Sequence, residues 1–196
     1  CIDAYIFLAN TQPNPEIALT YYEKGISIGK RMFGGKYLEK NIGNFWYIYE
    51  TRPFMRCLFC YSDLLYILGN TKESVEVLEE IILLNPGDNQ GARYNLMMYL
   101  IELNDLDKYQ HYQKMYDDDY SAYTFYNQAL FLFIKEGEST EANKQLKEAI
   151  SYNKFVPKHL LSKTPVRDFP SFYGIGDENE AKYYAIYGRG VWRRTA

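Results

Sequence analysis

The segment LGNTKESVEVLEEIILLNP, residues 68–86, decides the fold because its pattern returns later in the chain. Seven positions of this segment carry the same or a similar residue 68 positions later in the chain. They are Gly69, Glu73, Ser74, Leu78, Glu80, Ile82 and Asn85, matched by Gly137, Glu141, Ala142, Leu146, Glu148, Ile150 and Asn153. The segment LNDLD at 103–107 repeats the turn about halfway between them. The chain therefore contains an internal repeat of about 34 residues.

A period of about 34 residues with two helices in each repeat is typical of tetratricopeptide (TPR) arrays. Gly69 supplies the turn between the helices, because glycine adopts positive φ at little cost. Ser74 is small where the two helices touch, and Pro86 ends the second helix. Since such helices cannot bury a face alone, each repeat stacks on the next. The sequence predicts an all-α fold, a right-handed α-solenoid of TPR-like helix–turn–helix repeats.

We predict a single TPR-like helical repeat domain over 1–196. Its parts are a helical pair at 1–33, an irregular insert at 34–52, repeats at 53–86, 89–120 and 121–153, a loop at 154–176, and a capping helix at 177–192. The helices within the pairs are expected at 1–9, 14–33, 53–68, 71–84, 89–103, 106–116, 121–135 and 140–153. Asp177 and Glu180 are spaced as a capping box at the start of the last helix. Gly188 and Gly190 are expected to weaken or end that helix.

Composition restricts the class of protein. The chain has 22 basic and 25 acidic residues, a net charge of −3 and 47% apolar residues. It is too apolar to be disordered and too mixed in sign for a nucleic-acid binder, and it has no apolar run that would span a membrane. Three cysteines do not make a disulfide framework, which favours the cytoplasm. A lipid anchor on Cys1 is the alternative. The 21 tyrosines are expected mostly in the core, with Tyr66 and Tyr94 on a groove.

Several longer motifs are more specific than the repeat spacing. They are GNFW at 43–46 with ETRPFMR at 50–56, NPGDNQGARY at 85–94, VP at 156–157, YGIG at 173–176 and EA at 180–181. Together they resemble the TPR-containing proteins related to the suppressor of tumorigenicity seven family, over roughly 18–192. The resemblance implies an all-helical TPR-like fold and no particular catalytic activity. The membrane association of animal members is not carried over, because the chain lacks their spanning segments.

The patterns that carry chemistry elsewhere favour structural interpretations here. Cys57 and Cys60 form a C-x-x-C pair, but a zinc site needs two further ligands, and the two histidines, His111 and His159, stand alone. The acidic run at 117–119 lacks the glycine and spaced ligands of a calcium loop. We therefore expect no catalytic residue, no metal and no cofactor, and the chain is not expected to be an enzyme.

One cluster of aromatic and charged residues leaves two interpretations open. Its members are Trp46, Glu50, Arg52, Arg56 and Arg93. Arginine heads suit carboxylates and phosphates, so the cluster could hold a small ligand or serve an enzymatic domain. Alternatively, Glu50 pairs with the arginines across repeats and fixes the curvature of the array.

In TPR arrays, fixed positions of the first helix of each repeat line a concave groove, and the resemblance assigns them here. The assigned residues are Arg56, Phe59, Asp63, Tyr66, Tyr94, Met98, Asn127 and Phe131. Phe59 and Asp63 stand where capture of an acidic chaperone tail would need Lys and Asn. The groove instead fits a peptide with apolar anchors beside a basic edge. We expect a protein-interaction scaffold with a protein or peptide partner, and self-association through the solenoid ends is a further option.

Overall fold

A computed structural model describes residues 1–167 and 169–195, and this part of the chain contains eleven α-helices and no β-strand. The helices are α1 (Ile2–Asn10), α2 (Pro15–Phe33), α3 (Lys36–Asn41), α4 (Arg52–Ile67), α5 (Thr71–Leu84), α6 (Ala92–Glu102), α7 (Leu106–Met115), α8 (Ala122–Glu136), α9 (Thr140–Tyr152), α10 (Val156–Leu161) and α11 (Glu178–Thr195). Two 3₁₀ turns, Phe45–Tyr47 and Tyr49–Thr51, precede α4. The all-α prediction is confirmed.

The eight helices expected in the pairs lie within three residues of their predicted bounds. Local capping explains this agreement. The Asn14 side chain accepts a hydrogen bond from the Ile17 N–H at 2.8 Å, and Pro15 follows as the first helical residue. Ser121 and Ser139 cap α8 and α9 in the same way. These signals lie within a few residues of each helix end, so the sequence alone carries them.

The structure differs in detail from three local expectations. The insert at 34–52 contains α3 and the two 3₁₀ turns, and the loop at 154–176 contains α10. In α10, Pro157 occupies a first-turn position, where its missing N–H costs no helical hydrogen bond. α11 continues through Gly188 and Gly190 to Thr195. At Gly188 an added Cβ would lie 2.9 Å from the Met98 Cε, so this glycine permits close packing within a continuous helix.

Packing divides the chain into two compact units, unit 1 (Cys1–Leu96) and unit 2 (from Met97 onward). In unit 1, α1 packs on α2 and on α4, and α4 packs on both α2 and α5. In unit 2, α8 packs on α9 and α11, and α10 packs on α11. Unit 1 therefore contains the expected hairpins α1–α2 and α4–α5, and unit 2 contains the expected hairpin α8–α9.

An aromatic cluster explains why the insert of unit 1 is ordered. The rings of Phe33 (α2), Phe45 (first 3₁₀ turn) and Phe54 (α4) lie with centroids 6.1 to 6.4 Å apart. All three side chains are buried, and Phe45 is completely so. Tyr37 from α3 adds a ring 5.3 Å from Phe33. The apolar area that these rings remove from water stabilises α3 and the first 3₁₀ turn.

A hydrogen-bonded aromatic core holds unit 2 together around Tyr184 of α11. Its buried hydroxyl donates to Asn127 Oδ1 at 3.0 Å and accepts from Trp192 Nε1 at 2.8 Å. Tyr123 and Tyr126 of α8 pack against the same ring. Tyr184 is completely buried, with its ring packed and its hydroxyl hydrogen-bonded, and it therefore belongs to the tyrosines that form the core.

Candidate functional site

The two sides of α4 differ in burial. One side is buried and carries Phe54, Met55, Cys57, Leu58, Ser62 and Leu65. The opposite side, which we call the α4 face, carries Arg56, Phe59, Asp63 and Tyr66. Arg56 is exposed and the other three are half-buried. Their spacing of three, four and three residues places them along one stripe of the helix. Four residues assigned to the groove thus share one accessible surface of unit 1.

Tyr94 lies at the start of α6, also in unit 1, and is half-buried. The Arg93 guanidinium stacks over its ring at 4.4 Å and donates to its hydroxyl at 2.7 Å. Arg93 also pairs with Asp88 at 3.0 Å, and the buried Asp88 carboxylate accepts the Ala92 N–H at 2.7 Å. Asp88 thereby caps the first turn of α6 and fixes Arg93.

The remaining members of the predicted arginine cluster have separate partners. Arg52 stacks on Tyr49 at 4.3 Å and donates to the Trp46 carbonyl oxygen at 2.8 Å. Arg56 pairs with Asp3 of α1 at 2.7 Å. In the described part of the chain, Glu50 is exposed and has no ion pair. The predicted pairing of Glu50 with the arginines is therefore wrong, because Glu50 lies in a 3₁₀ turn that points its carboxylate to solvent, and Asp3 and Asp88 neutralise Arg56 and Arg93 instead.

Three groove residues assigned to unit 2 are buried, so their placement on an open surface is wrong. Met98, Asn127 and Phe131 are at most 2% exposed. α11 covers the first two, through Gly188 beside Met98 and Tyr184 bonded to Asn127. Phe131 instead stacks on Tyr109 of α7, with centroids 4.9 Å apart. The repeat pattern could not predict this burial, because it does not indicate which residues of other helices α11 packs against.

Beside the α4 face, a cleft of about 310 Å³ lies between the α1–α2 hairpin and α4. Its walls are mainly apolar and include Ala9, Pro13, Pro15, Ala18, Leu64 and Ile67, with Gln12, Tyr22, Cys60 and Asp63 as the polar or ionisable members. Sequence reasoning missed this cleft. Its residues come from a loop and three helices, and no periodicity joins them.

Asp63 is the acidic residue of this cleft. One of its carboxylate oxygens, Oδ1, accepts a hydrogen bond from Asn95 Nδ2 at 2.8 Å. Among the residues that the structure describes, no lysine, arginine or histidine forms an ion pair with it. Burial raises the pKa of Asp63 to about 6, although the Asn95 hydrogen bond opposes the shift. The carboxylate is thus partly desolvated and unneutralised.

This arrangement predicts a pH-dependent stability. Because the pKa of Asp63 rises from 3.8 to about 6 on folding, the folded chain holds more protons than the unfolded chain between those values. The contribution of Asp63 to the free energy of unfolding should therefore fall as the pH rises through that window. We expect Asp63→Asn to remove this contribution and to stabilise the protein by about 1–3 kcal/mol above pH 6.

Urea unfolding at pH 4.5 and pH 7.5, followed by circular dichroism, measures the effect of Asp63→Asn. The titratable groups facing Asp63 are Tyr22 of α2 and Cys60 of α4, and burial raises the pKa of both. Both therefore stay protonated across this pH range, and the difference in pH dependence between wild type and Asp63→Asn reports Asp63. Asp118→Asn, at an exposed position, is the matched control. An unchanged pH dependence in Asp63→Asn would contradict the assignment.

The C-x-x-C pair packs within unit 1. Burial raises the pKa of the Cys57 thiol to about 12 and also raises that of Cys60. Cys57 abuts α2, where a Cβ added at Gly25 would lie 2.8 Å from its sulfur. Both thiols are therefore protonated, which suits packing better than thiolate chemistry. Within the described residues, no three His, Cys, Asp or Glu side chains are grouped to hold a metal ion.

Comparisons with protein-family models, with curated proteins and with solved structures gave no match to this chain. Among the helices of the described ranges, none is long and apolar enough to cross a membrane.

Proposed function

We propose that the chain is a non-catalytic protein–protein interaction module, a TPR-like scaffold whose α4 face binds a partner peptide. The observation that carries the proposal is the stripe of Arg56, Phe59, Asp63 and Tyr66 on a helix whose other side is buried. A helix surface that combines rings with charges resembles the anchor regions of protein interfaces, where aromatic residues and arginine are enriched.

The packing of unit 1 supports this proposal. α4 contacts both helices of the preceding hairpin, so its buried side is fixed and the α4 face is presented on a rigid element. Tyr94 is held by Arg93, which in turn is held by Asp88. A ring fixed in this way loses little conformational entropy on binding. We further propose that the hairpins continue as a right-handed TPR solenoid and that the protein acts in the cytoplasm.

A second candidate function is the binding of a small ligand, and the cleft favours it. Its volume of about 310 Å³ lies at the lower end of the range for small-molecule pockets. Arg52, Arg56 and Arg93 are weaker candidates for such a ligand, because each already contacts a group of the protein. Arg52→Ala distinguishes these roles. A ligand role predicts an intact fold without ligand-induced thermal stabilisation, whereas a structural role predicts a lower unfolding temperature.

The peptide-binding proposal predicts that Phe59→Ala/Tyr94→Ala loses partner capture. Both substitutions remove half-buried rings from unit 1, so the contact with a partner should weaken while the helices persist. Affinity capture followed by mass spectrometry, comparing this variant with wild type, should show at least a tenfold loss of the partners that wild type retains.

Tyr120→Ala is the matched control, because Tyr120 is an exposed tyrosine outside the α4 face. Circular dichroism verifies that each variant keeps its helices. Equal capture by wild type and Phe59→Ala/Tyr94→Ala would exclude the α4 face as the binding surface. Light scattering over a concentration series separates partner capture from self-association through the solenoid ends, since only self-association raises the mass of the pure protein.

A further inference from the structure

The cleft beside α4 contains a charge that the described part of the chain does not neutralise. Asp63 has one hydrogen-bond donor, Asn95, and no cationic partner among the described residues. A desolvated carboxylate without a counter-ion lowers the stability of the fold. A cation that entered the cleft would remove this cost, so the charge of the site favours a positive ligand.

The shape of the cleft restricts the cation further. Ala9, Pro13, Ala18, Leu64 and Ile67 provide apolar walls. The space of about 310 Å³ corresponds to roughly ten water molecules, which is more room than a bare metal ion fills. Apolar walls with a carboxylate at one side suit a side chain with an aliphatic stem and a charged tip.

The free hydrogen-bonding capacity of Asp63 distinguishes the two basic side chains. Asn95 already donates to Oδ1, so among the described residues the carboxylate offers Oδ2 as its free oxygen. A planar bidentate arginine fork would have to share Oδ1 with the Asn95 amide, whereas an ammonium group is a compact point charge that needs only one close contact. The geometry therefore favours lysine.

We propose that this cleft binds one lysine side chain of the partner peptide, with the ammonium group paired to Asp63 and the aliphatic stem against the apolar walls. This inference rests on the proposed function, because it names the residue that anchors a peptide beside the α4 face. Phe59 lies one turn from Asp63 on the same face and would contact the neighbouring part of the peptide.

A titration of the ¹⁵N-labelled full chain with Nα-acetyl-lysine N-methylamide, whose side-chain ammonium group is free, tests the proposal when it is followed by NMR. We expect saturable shifts at the amides of Ala9, Gln12, Ala18, Leu64 and Ile67, with millimolar affinity. The control probe, N-acetyl-norleucine methylamide, has the stem without the charge and should bind at least tenfold more weakly. Equal binding of the two probes, or shifts elsewhere in the chain, would overturn the proposal.

Two variants test the role of Asp63 directly. Asp63→Asn removes the charge and should weaken binding of the lysine probe at least tenfold. Ile67→Lys places an ammonium group one turn after Asp63, where it competes for the carboxylate. Because Ile67 is 75% exposed, this variant should fold and also lose binding of the probe. Unchanged affinity in either folded variant would overturn the proposal.

A free diamine could satisfy the same charge, so putrescine is titrated in parallel. Tighter binding of putrescine than of the lysine probe would assign the cleft to a small amine and overturn the peptide role. The proposed function is tested separately by capture with Phe59→Ala/Tyr94→Ala. If Phe59→Ala/Tyr94→Ala loses capture but the wild type does not bind the lysine probe, the α4 face is supported and only the lysine pocket is rejected. Lysine binding with unchanged capture would reject only the α4 face.

Discussion

Replacing Glu180 with alanine should lower the free energy of unfolding by about 3–5 kcal/mol. The Glu180 side chain is fully buried and accepts hydrogen bonds from Ala122 N, Asn153 Nδ2 and Gly176 N, at 2.7 to 2.9 Å. Alanine would leave the Ala122 and Gly176 N–H groups without this acceptor inside the protein, and Asn153 Nδ2 would keep only its bond to the Asp177 carbonyl oxygen. Since the donors belong to α8, to the end of α9 and to the loop before α11, the loss should loosen all three segments.

Urea unfolding followed by Trp192 fluorescence measures the effect of Glu180→Ala. Trp192 lies in unit 2, and the other tryptophan of the chain, Trp46, is replaced by phenylalanine in the background used. Glu178→Ala is the control, because Glu178 pairs with Lys158 at the surface, and its removal should have little effect. The free energy of unfolding of Glu180→Gln should lie between those of Glu180→Ala and Glu178→Ala, because the glutamine amide keeps one acceptor oxygen. Equal stability of Glu180→Ala and Glu178→Ala would contradict the prediction.

Gly29→Ala should destabilise the protein by about 1–3 kcal/mol, although alanine favours helix formation. A Cβ at Gly29 of α2 would overlap the ring of Phe54 on α4. That ring cannot move freely, because it is buried against Phe33 and Phe45. The overlap must therefore separate α2 from α4 or disturb the aromatic cluster. Unfolding monitored by Trp46 fluorescence, with Trp192→Phe as background, measures the loss in unit 1.

Gly190→Ala is the matched control for Gly29→Ala. Gly190 is also helical, and the nearest atom to its added Cβ is the flexible guanidinium of Arg194 at 3.3 Å. This variant should be neutral or slightly more stable. Combining Gly29→Ala with Phe54→Leu should recover part of the loss, because leucine frees space beside the new methyl group. If the losses in free energy of unfolding caused by Gly29→Ala and Phe54→Leu simply added in the double variant, the methyl group added at Gly29 and the Phe54 ring would not overlap as predicted.

The local features of this fold were accessible from the sequence. Asn14, Ser121 and Ser139 cap helices by bonding N–H groups three residues away. Gly69 adopts a φ of +83° in the turn between α4 and α5, as the repeat pattern predicts. Each signal acts within one turn of the chain, so no knowledge of distant residues is needed. The same locality explains why helix bounds agreed within a few residues.

Features that depend on distant residues were missed or assigned wrongly. The order of the insert depends on Phe45 packing between α2 and α4, which no local pattern reveals. The groove positions predict an exposed Asn127, but Tyr184, which lies 57 residues further on, bonds to it. The sequence predicts a pair between Arg56 and Glu50, yet the partner of Arg56 is Asp3 at the start of the chain. In each case, a contact between remote segments decides exposure.

By itself, the sequence determined the all-α class and the hairpins α1–α2, α4–α5 and α8–α9, because periodicity and capping are properties of neighbouring residues. Tertiary structure decided which positions are accessible. It buried Met98 and Asn127 beneath α11, and it formed the cleft in which Asp63 has no cationic partner among the described residues. Burial and charge neutralisation are properties of the assembled surface, so they follow only once the helices have packed.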